Sequence, residues 1–168
     1  LTFHKGNPSE LRVSYGPRGN AYYVLKSSGV FDDFDAGINI KFTDGDQKLV
    51  MAGLYPRFTE TGGYGVYISP LGSYVIGYFT KDKNNEWVWG TLMDWTNHFA
   101  IRAGMHESNH LRVICDGERF RVYLNGVLAA SFKDSRFKLG KLYVVAEPNG
   151  QTDLGIAFSD LQLREVLR

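Results

Sequence analysis

The chain has 168 residues, of which 43% are hydrophobic and 14% aromatic, and its formal net charge is +1. This length suits one domain with a substantial core, and the composition excludes a largely disordered chain. Lysine and arginine are spread along the sequence without a basic stripe, and no apolar run approaches the roughly 20 residues that span a bilayer. We therefore expect neither nucleic-acid binding nor membrane insertion.

The first third of the chain predicts strands. Short apolar or aromatic runs indicate strands at residues 11–15 and 21–25, with a Gly- and Pro-containing loop between them. Residues 34–42 alternate between apolar and mostly polar side chains, which indicates a half-buried strand of an antiparallel sheet. A turn follows, and residues 49–58 predict a second long strand.

Hairpins dominate the rest of the chain. Asp116-Gly117 and Asn125-Gly126 lie between runs of alternating apolar residues, and both dipeptides suit the positive φ of tight hairpin turns. Residues 93–107 have no clear period and predict a loop with a short strand or a turn of helix. The other predicted strands cover residues 64–68, 74–79, 86–92, 110–115, 118–124, 127–132, 141–146 and 154–163.

About a dozen strands without an amphipathic helix indicate an all-β fold, either a sandwich or a barrel. The single cysteine, Cys115, alternates with Leu111 and Val113 and is expected to share their buried face. A lone thiol excludes an internal disulfide.

Several motifs occur in a familiar order. They are Phe-x-Asp-Phe at 31–34, Gly-Leu-x-x-Arg at 53–57, Val-Tyr-Leu-Asn-Gly at 122–126 and Phe-x-Asp-Leu-x-Leu at 158–163. With this order, residues 31–166 resemble the concanavalin A-like lectin/glucanase superfamily. The resemblance is to the branch that contains laminin-G-like domains, levan-type carbohydrate-binding modules and the 3-keto-disaccharide hydrolase domain.

The resemblance implies a two-sheet antiparallel β-sandwich, or jelly roll, with residues 1–168 as a single domain. It also implies that a ligand, where there is one, lies on the concave sheet. Because the chain begins at Leu1 and lacks a signal peptide's apolar core, we expect a domain excised from a larger, bacterial-type protein. An extracellular or cell-surface location is favoured over the cell interior.

Aromatic and polar side chains on the exposed face of that sheet are the candidate ligand-binding residues. The predicted set is Tyr55, Arg57, Tyr67, Tyr78, Trp87 and Trp89. If Val50, Ala52 and Leu54 face the core, alternation turns Tyr55 and Arg57 outward. The two tryptophans are separated by one residue, so they share a face about 6.5–7 Å apart. The alternative is that one or both indoles fill the core.

The acidic residues argue against hydrolysis. Glucanases of this superfamily carry Glu-x-Asp-x-x-Glu on one strand, and this pattern is missing here. Glu86 has no second acid on its own face, and Asp32, Asp33 and Asp35 are expected to be solvated charges at the start of a strand. Because glycoside hydrolysis normally needs two carboxylates, we expect no catalytic residues.

Metal binding is also not expected. His106 and His110 have the spacing of a helical metal pair, but the strand predicted from residue 110 argues against a helix there. Some domains of the superfamily hold a structural Ca²⁺, and the residues worth testing for it are Asp44, Asp46, Asp153 and Asp160. Turn formation accounts for the Asp-Gly-Asp sequence without a metal, so no cofactor is predicted.

The sequence thus predicts a non-catalytic, lectin-like module whose partner is a polysaccharide or glycan, or another domain of the parent protein. Two alternatives stay open: a protein-interaction or spacer domain without a ligand, and a sugar-active enzyme of the 3-keto-disaccharide hydrolase type. Stacked aromatic rings on the sheet would favour binding, and clustered acids would favour an enzyme.

Overall fold

Thirteen β-strands and no helix make up the described part of the chain. The computed structural model describes residues 2–5, 10–15, 22–148 and 154–166, with side chains from residue 25 onward. No helix in these residues is long and apolar enough to cross a membrane. The strands are β1 (Thr2–Lys5), β2 (Glu10–Tyr15), β3 (Tyr22–Lys26), β4 (Phe34–Asp44), β5 (Val50–Phe58), β6 (Gly62–Ile68), β7 (Ser73–Lys81), β8 (Trp87–Asn97), β9 (Ser108–Asp116), β10 (Arg119–Leu124), β11 (Val127–Lys133), β12 (Lys141–Pro148) and β13 (Leu154–Glu165).

The strands form two antiparallel sheets that stack on one core. The seven-stranded sheet has the order β1-β2-β13-β4-β9-β10-β11, and the six-stranded sheet has the order β3-β12-β5-β6-β7-β8. Fully buried side chains from both sheets meet between them, among them Ile38 and Val122 from one sheet and Leu54 and Ile76 from the other. The predicted two-sheet antiparallel sandwich is therefore confirmed.

Each predicted strand has a counterpart in the structure, but the structure differs from the prediction in several places. The sequence pattern did not predict β1, and β8 continues to Asn97, through a stretch that lacks a clear period. The predicted loop at 16–20 lies outside the described residues, as do residues 149–153 of the loop predicted at 147–153. Residues 147 and 148 of that predicted loop belong to β12 instead. Strand existence was therefore easier to predict than strand length.

The Asn-Gly hairpin forms as predicted. Asn125 and Gly126 join β10 to β11 with φ of 49° and 85°. The Asn125 side chain also accepts a hydrogen bond from the amide of His110, at 2.7 Å. In the preceding hairpin the two loop residues are Gly117 and Glu118, one position later than predicted, and Gly117 has the positive φ, 57°.

A β-bulge in β5 reverses the alternation that the sequence predicts. Tyr55 pairs with Tyr143 and Phe58 pairs with Lys141, so β5 contains one extra residue, and Arg57 has a φ of 52°. Phe58 consequently joins Tyr55 on the outer face, where their rings stack at 5.0 Å. Arg57 turns the other way and is 1% exposed. The predicted outward orientation of Arg57 is wrong because the two-residue period is broken at this bulge.

The Arg57 guanidinium ties three segments together. Its Nε donates to the Asp32 carbonyl at 2.6 Å, one Nη donates to the Gly117 carbonyl at 2.8 Å, and the other Nη pairs with Asp33 Oδ1 at 3.2 Å. The same Asp33 oxygen accepts the Gly117 amide at 2.6 Å, and the guanidinium lies 5.0 Å from the centre of the Phe120 ring. These contacts join β5 to the start of β4 and to the β9–β10 turn.

We predict that Arg57→Met destabilises the fold by about 3–5 kcal/mol, because it leaves the Asp33 carboxylate buried without its cation. Arg112→Met is the matched control: Arg112 also pairs with an aspartate, Asp35, but the two side chains are 42% and 22% exposed. An exposed pair of this kind contributes about 1 kcal/mol or less. Urea unfolding measures both variants, and equal losses would contradict the structural role of Arg57.

Candidate functional site

The outer face of the seven-stranded sheet is polar. Arg112 donates to both carboxylate oxygens of Asp35, at 2.7 and 2.6 Å. Asn39 donates to Asp160 at 2.6 Å and hydrogen-bonds to Nδ1 of His110 at 2.8 Å. Such cross-strand pairs are typical of the solvated face of an antiparallel sheet, and they need no ligand.

The outer face of the six-stranded sheet is aromatic instead. Neighbouring ring centroids on it are 4.8 to 6.0 Å apart. We call this surface the aromatic face, and its rings are those of Tyr55, Phe58, Tyr67, Phe79, Trp87, Trp89 and Tyr143. Tyr55, Phe58 and Tyr67 are buried in this cluster, Phe79, Trp89 and Tyr143 are half-buried, and Trp87 is exposed. An aromatic cluster whose outer rings reach solvent is typical of a binding surface.

Two adjoining cavities lie on this face. The first, which we call the Glu147 groove, has a volume of about 210 Å³ and is lined by Met51, Tyr67, Val75, Phe79, Trp89, Trp95 and Glu147. The second, the Lys48 cavity, measures about 260 Å³ and is lined by Lys48, Leu49, Val50, Met51, Ser69, Leu71, Ser73 and Trp95. Because Met51 and Trp95 line both cavities, these two side chains stand between the groove and its neighbour.

Two register shifts in β8 turn Met93 to the core and leave Trp95 beside the groove. Trp89 pairs with Phe79 on β7, but two shifts follow, between Gly77 and Ile76 and between Ile76 and Tyr74 of β7. Met93 therefore lies opposite Ile76 and packs against the core, while Trp95 returns to the outer face with 46% of its surface exposed. The two shifts cancel for Trp95, which lies six residues after Trp89 and shares its face, whereas Met93 between them is turned to the core.

Glycines form the floor beneath Trp89. A Cβ atom added at Gly77 would lie 2.2 Å from the Trp89 ring, and one added at Gly65 would lie 2.8 Å from it. The indole therefore lies flat across β6 and β7 in space that only glycine leaves free. Its Nε1 donates to the Thr91 hydroxyl at 3.2 Å, which further orients the ring.

A chain of hydrogen bonds ends at the carboxyl group in the groove. Tyr67 donates its hydroxyl proton to Glu147 Oε2 at 2.5 Å, and the Tyr55 and Tyr67 hydroxyls are hydrogen-bonded to each other. Burial, followed by the proximity of Tyr55 and Glu147, raises the pKa of Tyr67, which keeps it a neutral donor. Burial also raises the pKa of Glu147, and the bond from Tyr67 partly opposes that rise.

Four of the six predicted ligand residues lie on the aromatic face. Tyr67 and Trp89 line the groove. Tyr55 is 2% exposed and reaches the groove through Tyr67, whereas Trp87 is 43% exposed, close to Phe58 at 5.4 Å. Trp87 and Trp89 share a face, as alternation predicts.

The other two predicted residues, Arg57 and Tyr78, lie elsewhere. Arg57 lines a separate cavity of about 260 Å³ among loop residues. Tyr78 packs against the core, and the Arg136 guanidinium lies 4.2 Å from the centre of its ring. The predicted outward orientation of Tyr78 is wrong. Tyr78 lies two residues from buried Ile76 on β7 and shares its core-facing side, whereas Phe79 faces outward.

Sequence analysis missed Glu147, Phe79 and Trp95 as site residues. The pattern assigned Glu147 to a loop, but it is the penultimate residue of β12 and lies opposite Met51. The signal that would have revealed it is the continued alternation of Tyr143, Val145 and Glu147 along one face.

The candidate Ca²⁺ ligands are spread over different elements. Asp44 ends β4, and its carboxylate accepts the following amide, that of Gly45, at 2.8 Å. Asp46 accepts the amide of Lys48 at 2.9 Å, while Asp160 is bonded to Asn39. Asp153 lies outside the described residues. Within those residues no group of three or more His, Cys, Asp or Glu side chains is placed to hold a metal ion.

No protein-family model matches the sequence, and no curated protein is similar to it. Solved structures, by contrast, share its architecture. The carbohydrate-binding module CBM66 from Bacillus subtilis superposes with a TM-score of 0.64 at 16% identity, covering 98% of this chain and 91% of that one. A glycoside hydrolase family 16 endo-glucanase from Bacteroides ovatus gives a TM-score of 0.67 at 8% identity, with 97% and 84% covered.

Sheep galectin-11 is a third similar structure, with a TM-score of 0.56 at 12% identity over 89% of this chain and 98% of that one. At such low identities the likeness concerns the fold. The chain therefore has the concanavalin A-like jelly-roll sandwich fold that its sequence motifs predict.

Proposed function

We propose that this chain binds a carbohydrate in the Glu147 groove and over the adjoining rings of the aromatic face. The observation that carries the proposal is the pairing of exposed or half-exposed indoles, Trp89 and Trp95, with a carboxyl group in one groove. Aromatic planes stack on the apolar faces of sugar rings, and a carboxylate accepts strong hydrogen bonds from hydroxyl groups. A carbohydrate-binding module and an endo-glucanase among the similar structures support this proposal.

The dimensions of the site favour an oligosaccharide. The Glu147 groove and the Lys48 cavity meet at Met51 and Trp95, so a ligand longer than one sugar unit would run past the Trp95 indole. On the far side it would reach the hydroxyl groups of Ser69 and Ser73. We extend the proposed site in the other direction to Trp87, at the opposite end of β8.

Binding is favoured over hydrolysis. Glu147 is the one acidic side chain among the described residues that line the groove, and the two-carboxylate route of glycoside hydrolysis needs a pair. The rigid glycine floor under Trp89 suits a preorganised binding surface, because a ring that is already fixed loses little conformational entropy when a ligand binds.

We predict that Trp95→Ala weakens glycan binding about tenfold or more, because it removes an exposed ring at the centre of the proposed site. Retention on immobilised neutral polysaccharides, followed by calorimetry with oligosaccharides from the retained one, measures this loss. Since 46% of the Trp95 surface is exposed, the melting temperature should change little.

Phe99→Ala is the matched control, since Phe99 is an exposed aromatic residue, 87% exposed, that does not line the groove. It should bind like the wild type. Trp87→Ala should weaken the binding of long oligosaccharides more than that of short ones. Wild-type protein that retains no glycan, or a Trp95→Ala variant that binds normally, would refute the proposal.

Gly65→Ala tests the floor of the site. The three atoms nearest to the new methyl group all belong to the side chains of Trp89 and Phe79, so we expect the indole to be displaced and the fold to lose about 1–3 kcal/mol. In the Trp89→Ala background the same substitution should cost much less, which a double-mutant cycle in urea detects. Additive losses would show that Trp89 does not rest on Gly65.

A further inference from the structure

We propose that Glu147 makes the groove selective for uncharged saccharides over saccharides that carry carboxylate groups. The inference rests on the proposed function and adds the chemical class of the ligand. It makes Glu147 a specificity-determining residue, with Tyr67 and Tyr55 as the residues that position it.

The first step is the geometry of the carboxyl group. Glu147 lies on the outer face of β12, opposite Met51, and its Oε2 is bound by the Tyr67 hydroxyl. An ionised carboxylate offers about four acceptor sites. In the described part of the chain Tyr67 is its only hydrogen-bond partner, so the remaining lone pairs are available to the hydroxyl groups of a ligand.

The second step is the absence of a counter-charge in the described groove lining. The strands β5, β6, β7 and β8 present only uncharged side chains to it: Met51, Tyr67, Val75, Phe79, Trp89 and Trp95. On β3, the described Lys26 lies over the Tyr143 ring, 6.0 Å from its centre. Lys48 lines the adjoining cavity, beyond Met51 and Trp95.

None of the ion pairs among the described residues involves Glu147. An anionic ligand would therefore meet a second negative charge in a partly dehydrated groove, where like charges repel more strongly than in water. A neutral saccharide would instead supply hydroxyl donors to the same carboxylate.

The titration of Glu147 gives this selectivity a pH dependence. Burial raises its pKa above the usual value of 4.5, so its charge is lost as the pH falls through that raised pKa. Below that pKa the protein should no longer discriminate against anionic ligands. Neutral ligands should bind more weakly there, because they lose a charged hydrogen-bond acceptor. Tyr67→Phe removes the bond that opposes the rise, so this transition should move to higher pH.

The experiment compares two probes on the intact chain. One is the neutral polysaccharide retained in the binding test above, and the other is the same polysaccharide after oxidation of its primary hydroxyls to carboxylates. At pH 7 and low salt we expect the wild type to bind the oxidised probe about tenfold more weakly or worse. Glu147→Gln should reduce this difference to about twofold or less, because the amide keeps the shape of the side chain without its charge.

Glu165→Gln is the matched control, since it makes the same change of charge on β13 of the other sheet and should discriminate like the wild type. Equal wild-type binding of both probes would overturn the inference and leave the proposed function intact. Discrimination that survives in Glu147→Gln would overturn the role of Glu147, and an unmoved pH transition in Tyr67→Phe would overturn the positioning role of Tyr67. Retention of an oxidised polysaccharide without its neutral parent would also overturn the inference, and failure to retain any polysaccharide, neutral or oxidised, would refute the proposed function itself.

Discussion

The buried contact between Arg57 and Asp33 is the constraint on which the arrangement of the two sheets depends. A guanidinium that is 1% exposed is costly to dehydrate, and it is stable here because three backbone carbonyls and a carboxylate lie within 2.6 to 3.2 Å of its nitrogens. The contact requires the bulge that gives Arg57 a positive φ. The same bulge turns Phe58 outward, so one local irregularity both joins the sheets and completes the aromatic face.

The proposed binding surface depends on irregularities of the same kind in β8. A perfectly alternating strand would place Met93 on the outer face, between Trp89 and Trp95. The two register shifts against β7 prevent this by adding residues on one strand only. Gly65 and Gly77 have no side chain and so leave room for the Trp89 ring to lie flat. The shape of the surface therefore depends on these glycines as well as on the rings.

The electrostatics of the groove reflect a balance between burial and hydrogen bonding. Burial favours the neutral form of Glu147, while the Tyr67 hydroxyl favours the charged form, and burial is the larger of the two effects. Tyr67 remains a donor because its own pKa is raised. A single acid held in this way accepts hydrogen bonds from hydroxyl groups and repels anions. The described residues that line the groove include no second carboxylate, which glycoside hydrolysis uses.

The sequence by itself determined twelve of the thirteen described strands, the Asn125-Gly126 hairpin and the two-sheet sandwich, because alternation and turn chemistry are local properties of the chain. It also placed Tyr55, Tyr67, Trp87 and Trp89 on one surface. Only the tertiary structure decided the orientation of Arg57, since a bulge shifts the two-residue period there and is stabilised by partners distant in sequence. Glu147 also entered the site through tertiary structure: its neighbours Met51 and Tyr67 are 96 and 80 residues away along the chain, and pairing between strands brings the three together.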